Sequence, residues 1–192
     1  MMNNEKKTVV ISAFPACGKS YMYNNFNGKP YTMLDSDSSK YSWIYENGVK
    51  TDKRNPNFIE DYIAHIKENI GKVDVIFVSS HSDVRKALRD NNIKYFIIHP
   101  SLDMKDEMLR RMKERGNDEK FIEFQKAHYE EFINEIKDEM NKIHKETPFI
   151  DGERILPCFR IELNESQLYI TNELIDLLLD NSMGNLSCLY WN

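Results

Sequence analysis

Cysteine is scarce in this chain. Cys17, Cys158 and Cys188 lie far apart and form no C-x-x-C pair, which points away from a metal knuckle or a disulfide framework. Positive charge is not in excess either. The net charge is −5, so no global basic field draws the protein to DNA, RNA or an anionic membrane, and an anionic substrate must be met by local charge. No apolar run approaches the length that spans a bilayer. The opening M-M-N-N-E-K-K leads into a short apolar stretch, without a signal-peptide core or a small-residue cleavage site. A reducing cytoplasm is therefore the expected compartment. Internal repeats and low-complexity tracts are absent. The remaining composition, 41% hydrophobic and 30% charged, is that of a globular enzyme rather than a disordered tail. A length of 192 residues suits a single well-cored α/β domain over 1–192.

Short β-rich runs alternate with amphipathic segments, the pattern of βαβ units and a parallel sheet. Thr8 to Ser12 (T-V-V-I-S), Tyr31 to Asp35, Val73 to Ser79, Tyr95 to His99 and Cys158 to Leu163 read as five strands. Helices are expected at Gly18 to Phe26, Asn57 to Ile70, Asp83 to Arg89, Asp103 to Arg115 with Gly116 as its stop, Asp118 to Lys145, and Thr171 to Leu179 with Thr171 or Asn172 as cap. The apolar stripe of the long helix, Phe121, Phe124, Phe132 and Ile136, reads as core. Residues 36–56 read as a long polar and aromatic loop, and long loops are often functional. The tail, 182–192, has no assignable period and is expected to dock on the domain.

Chemistry concentrates at A-F-P-A-C-G-K-S, where a buried strand gives way to a helix. Backbone N–H groups of Ala13, Phe14, Ala16, Cys17 and Gly18 and the helix N-terminus can cradle phosphates, with Pro15 shaping the turn and Tyr21 following in the first helical turn. Lys19 can reach β- and γ-phosphates and Ser20 can ligate Mg²⁺. The pattern is a Walker A phosphate loop with Ala13 where glycine is commoner. ATP with Mg²⁺ is the expected ligand.

The second strand ends in L-D-S-D. Asp35 and Asp37 stand at the edge where open parallel sheets bind ligands, and one can serve the metal while the other orients an attacking hydroxyl. The third strand ends V-I-F-V-S-S-H without a Walker B aspartate, and Asp74 lies at its opposite end. The metal duty therefore shifts to Asp35 or Asp37.

A phosphate loop followed by D-x-D after the second strand resembles the shikimate kinase and gluconate kinase branch of the nucleoside and nucleotide kinase superfamily. The chain is also similar to small phage and Gram-positive proteins described as nucleoside or nucleotide kinases. The resemblance implies a three-layer α/β/α sandwich with a five-stranded parallel sheet of order 2-3-1-4-5, a metal role for Asp35 and an acceptor role for Asp37. It departs from shikimate kinases after the third strand, where S-S-H-S-D-V-R replaces a glycine-rich patch. It also implies a lid of the R-x-x-x-R type, over about 103–118, which L-R-R-M-K-E-R-G-N matches with Arg111 and Arg115. Arg85 falls where nucleotide kinases place an acceptor-binding arginine, and His81 lies at the same edge.

Tyr41, Trp43 and Tyr45, followed by Lys53 and Arg54, suit stacking of a base and holding of an acceptor phosphate. The expected function is transfer of the γ-phosphoryl group of ATP to a nucleoside or nucleoside monophosphate, by a monomer or homodimer without nucleic-acid or membrane partners. A polynucleotide 5′-end kinase, a nucleotide-binding regulatory module and an NTPase are the alternatives.

Overall fold

The structure, a computed structural model, describes residues 6–150 and 153–181. The elements run β1 (Val9–Ala13), α1 (Lys19–Phe26), β2 (Met33–Asp35), α2 (Ser39–Ser42), β3 (Trp43–Glu46), β4 (Val49–Arg54), α3 (Phe58–Asn69), β5 (Val75–Val78), α4 (Ser82–Asp90) and β6 (Tyr95–Pro100). After a single 3₁₀ turn at Leu102–Met104 come α5 (Lys105–Glu114), α6 (Glu119–Glu146), β7 (Phe149–Ile150), β8 (Glu153–Arg154), β9 (Cys158–Leu163) and α7 (Asn172–Asn181). The tail at 182–192, with Cys188, lies outside the described residues.

Five strands form one all-parallel sheet in the order β2-β5-β1-β6-β9, with β1 registered on both neighbours so that Ile11 lies opposite Phe77 and Phe96. Helices connect the strands, an arrangement compatible with a three-layer sandwich. The inner strands β1, β5 and β6 are buried along their whole length, as strands covered on both faces must be, and their sequences are continuous apolar runs for that reason. Among the described residues strand β9 pairs only with β6, and it alternates in burial. The buried side chains from Val9 to Leu178 join in one hydrophobic core. Among the described residues no helix is long and apolar enough to cross a membrane.

Helix α3 buries Tyr62, Ile63 and Ile66, and the Tyr62 hydroxyl donates to Ser36 O (2.6 Å) and accepts from Ser79 N (3.2 Å). One buried phenol thus ties the carboxyl ends of β2 and β5 together. Asp118 caps α6 by accepting from Phe121 N, and Thr171 Oγ1 accepts from Leu174 N at the start of α7. Asp74, at the opposite end of β5 from the cleft described below, accepts from Thr32 N, Thr32 Oγ1 and Lys6 Nζ. That carboxylate ties together the residues that precede β1, β2 and β5.

The region 36–56 is not the long loop expected. It folds as α2 and an antiparallel hairpin of β3 and β4. The hairpin turns at Asn47 and Gly48, both with positive φ (51° and 79°), the pair that a two-residue primed turn requires.

The α6 stripe also needs correction. The deeply buried residues of α6 are Gln125, Tyr129, Ile133, Ile136 and Met140. Phe124 is 51% exposed, and Phe121 and Phe132 only edge the core. The apolar arc is wider than the core it meets, and its surplus faces a cavity.

Candidate functional site

Strand β1 ends at Ala13, and the chain turns away with Phe14 N donating to Ile98 O (2.9 Å). Ala16 (φ 65°) and Gly18 (φ 107°) take left-handed conformations that bend Phe14–Gly18 back toward the sheet edge. At Gly18 the backbone conformation, rather than space, calls for glycine: an added Cβ would meet nothing closer than Ile170 N at 3.6 Å. Helix α1 then starts at Lys19, with Met22 N to Gly18 O as an early bond (2.9 Å). Its N-terminus has no side-chain cap and no acidic residue in the first turn. The first-turn amides therefore lack partners inside the helix and carry its partial positive charge.

The loop is braced from behind. Ile170 N donates to Cys17 O (3.1 Å). Cys17 is buried, and burial pushes its thiol up to about 12 despite Lys19 and Arg111 nearby. It is a packing residue rather than a nucleophile.

The Lys19 ammonium donates to Ala13 O, and to Phe14 O at 3.3 Å. Burial, the largest cause, lowers its pKa, and Arg115 lowers it further. Cys17, Asp35 and Asp37 oppose the shift. From the next position, Ser20 Oγ donates to Asp35 Oδ2 at 3.1 Å. Asp37, two residues on, has both oxygens engaged: Oδ1 accepts from Ser39 N (2.9 Å) and Oδ2 from Ser39 Oγ (2.8 Å). Its carboxylate therefore starts the short helix α2 while facing the same cleft.

That cleft has a volume of about 580 Å³ and opens at the carboxyl edge of the sheet. One end is formed by Ala13, Phe14, Pro15, Lys19 and Ser20, and the middle by Asp35, Asp37 and a row of serines that includes Ser36, Ser79 and Ser80. The far wall is the face of α6. His81 stands at the rim. Desolvation is the main cause that lowers its imidazole below the ordinary range; Arg85, Lys19 and Arg54 add to it, and Asp83 opposes.

Several residues expected at the site are placed elsewhere, or are occupied. Arg85 is 2% exposed. Its guanidinium donates to Glu139 (Nε, 2.6 Å), Glu135 (3.1 Å) and Ser80 O. It borders the cleft with its donors already committed, a structural ion-pair cluster instead of a free anion holder. Arg111 turns inward rather than onto the cleft. It donates to Glu107 (2.7 Å) and Leu168 O (2.8 Å), and its guanidinium lies 3.7 Å from the Tyr169 ring centroid. Arg115, the C-cap residue of α5, does line the cleft. Trp43 does not reach the cleft. Lys50 (4.4 Å) and Arg54 (4.1 Å) lie over its ring within the hairpin. Tyr21 points outward against Phe26.

The residues missed in the sequence are those of the serine row, Asn117 and Gln125. Ser36 Oγ, Asn117 Oδ1 and Gln125 Oε1 are buried polar atoms without a hydrogen-bond partner, and all three residues line this cleft. Buried polar atoms are nearly always paired, so these three leave hydrogen-bonding capacity unused beside the cleft. Among the described residues no group of three or more His, Cys, Asp or Glu is arranged to hold a metal by itself. No protein-family model matches the chain, and no curated protein matches it.

Proposed function

We propose that the protein is an ATP-dependent phosphotransferase that passes the γ-phosphoryl group to a hydroxyl of a small molecule of the nucleoside or nucleotide class. The observation that carries this reading is the junction at Gly18–Ser20. An uncapped helix N-terminus, the Lys19 ammonium and the Ser20–Asp35 pair at 3.1 Å meet at the carboxyl edge of a parallel sheet. Numbered among the parallel strands alone, the sheet order becomes 2-3-1-4-5, which supports a Walker A kinase core in a three-layer frame.

Loop amides and Lys19 would hold the phosphates, Lys19 leaving the carbonyls of Ala13 and Phe14 for a more strongly charged partner. Two hard oxygen donors, Ser20 Oγ and Asp35 Oδ2, suit Mg²⁺, which is held by few protein ligands together with substrate phosphates. Bound magnesium would supply charge neutralisation on the β- and γ-phosphates. Asp37 faces the middle of the cleft, where it would orient the acceptor hydroxyl, and Arg115 would offset the charge that spreads over the transferred group. The remaining cleft, walled by α6, would hold the body of the acceptor.

A transfer screen tests this: γ-labelled ATP with nucleosides, nucleotides, sugars and oligonucleotide ends, using Lys19→Ala as the blank. Label should move to at least one small acceptor with the wild type and to none with the variant. Equal transfer by both proteins would remove the mechanism.

A further inference from the structure

We propose that the α6 wall of the cleft is the acceptor subsite and that it selects a neutral nucleoside over the corresponding monophosphate. The inference rests on the phosphotransferase reading of the same cleft and narrows its acceptor. It starts from the composition of that wall. Phe121, Phe124 and Phe132 line it, and the Phe124 and Phe132 ring centroids are 5.8 Å apart. Exposed aromatic faces in a cleft suit a flat ring.

Gln125 lines the same wall and is 6% exposed, with its side-chain oxygen buried and unpartnered. The Asn117 oxygen at the same cleft is unpartnered too. A buried carbonyl oxygen without a donor is destabilising, and an N–H-bearing ligand would supply the missing partner. An amide offers an acceptor and a donor side by side, the complement of the polar edge of a nucleobase. The other end of such a ligand needs a hydroxyl near Asp37, and a nucleoside carries both ends in one molecule.

Charge decides between nucleoside and monophosphate. The cleft lining carries the carboxylates of Asp35, Asp37 and Glu135, the last of these on α6, and Arg85 is neutralised by Glu135 and Glu139. Arg115 lines the cleft as well, as the C-cap residue of α5. Lys53 pairs with Glu46 (3.5 Å) and Arg54 lies over Trp43, both in the hairpin and neither among the residues that line the cleft. An acceptor phosphate beside Asp37 and Glu135 would be repelled by both carboxylates.

Calorimetric titration of the full chain tests the inference. The probes are the common ribonucleosides and deoxyribonucleosides, their 5′-monophosphates and, separately, ATP with Mg²⁺. At least one nucleoside should bind, about tenfold or more tighter than its own monophosphate. Gln125→Leu, a near-isosteric change, should weaken that nucleoside about tenfold while ATP affinity holds. Phe124→Ala, at a half-exposed position that leaves the core intact, should weaken it too and keeps the test open if Gln125→Leu fails to fold. Tighter binding of monophosphates, wild-type nucleoside affinity in Phe124→Ala, or ATP binding without any nucleoside binding would each overturn the subsite. Failure of the wild type to bind ATP would instead sink the phosphotransferase reading, a distinguishable result.

Discussion

Ser20 and Asp35 come from consecutive units of the sheet, and their side chains meet, hydroxyl to carboxylate, at 3.1 Å. The contact joins the start of α1 to the end of β2. On the proposed function it is a magnesium site in waiting, so Asp35→Asn should raise the magnesium concentration needed for half-maximal transfer about tenfold or more. Affinity for metal-free ATP should stay the same. An unchanged magnesium requirement would remove Asp35 from the metal role.

Asp37 allows a cleaner separation of charge from structure. Asp37→Asn keeps an oxygen to accept from Ser39 N, so α2 should survive. Turnover should fall by about 10²–10⁴ with little change in the KM for ATP, because the lost charge serves the acceptor. Loss of ATP affinity without loss of turnover would place Asp37 on the phosphate side instead.

Arg85 should behave as a structural residue. Its removal leaves Glu139, which also pairs with Arg89 at 2.5 Å, and Glu135 with less positive charge than they need. Arg85→Met should cost about 3 kcal/mol in urea unfolding. Unchanged stability combined with a raised KM for the acceptor would return Arg85 to a substrate role.

His99 gives the pH dependence. The ring is fully buried, its Nδ1–H donates to Pro100 O (2.8 Å) and its Nε2 has no hydrogen-bond partner. Burial pulls its pKa from 6.5 to about 4. The Pro100 bond and Glu162 oppose the shift, and Arg160 and Lys137 add to it. The folded value lies below the unfolded one, so the unfolded chain takes up the proton first as pH drops. The associated stability is full above pH 6.5 and is lost progressively down to about pH 4, by about 2 kcal/mol at pH 5. Urea midpoints of wild type and His99→Asn at pH 7 and pH 5 check this, the variant showing the smaller loss. Equal losses would assign the pH dependence to other groups.

The legible parts of the chain were those whose physics is local. V-V-I-S-A and V-I-F-V are buried on both faces, so their apolar runs announce parallel strands. The A-C-G-K-S turn marks itself because glycine, lysine and serine have fixed places where a strand gives way to a helix. The hairpin was hidden because V-K-T-D-K-R is largely exposed and offers no buried alternation; the Asn47-Gly48 pair was the available signal. The phase of α6 is hidden because an apolar arc at helical spacing does not say whether its edge meets a core or a cleft. Arg85 looked free because Glu135 and Glu139 lie 50 and 54 residues away, beyond any local pattern. Tyr62 bridging Ser36 and Ser79 was invisible for the same reason.

The most direct measurement is a crystal structure with a non-hydrolysable ATP analogue and magnesium. Phosphate oxygens are expected on the amides of Gly18, Lys19 and Ser20, with the Lys19 ammonium moved from the Ala13 and Phe14 carbonyls onto the β- and γ-phosphates and the metal beside Ser20 and Asp35. An analogue bound elsewhere, or a Phe14–Ser20 turn left empty at saturating analogue, would contradict the proposed function.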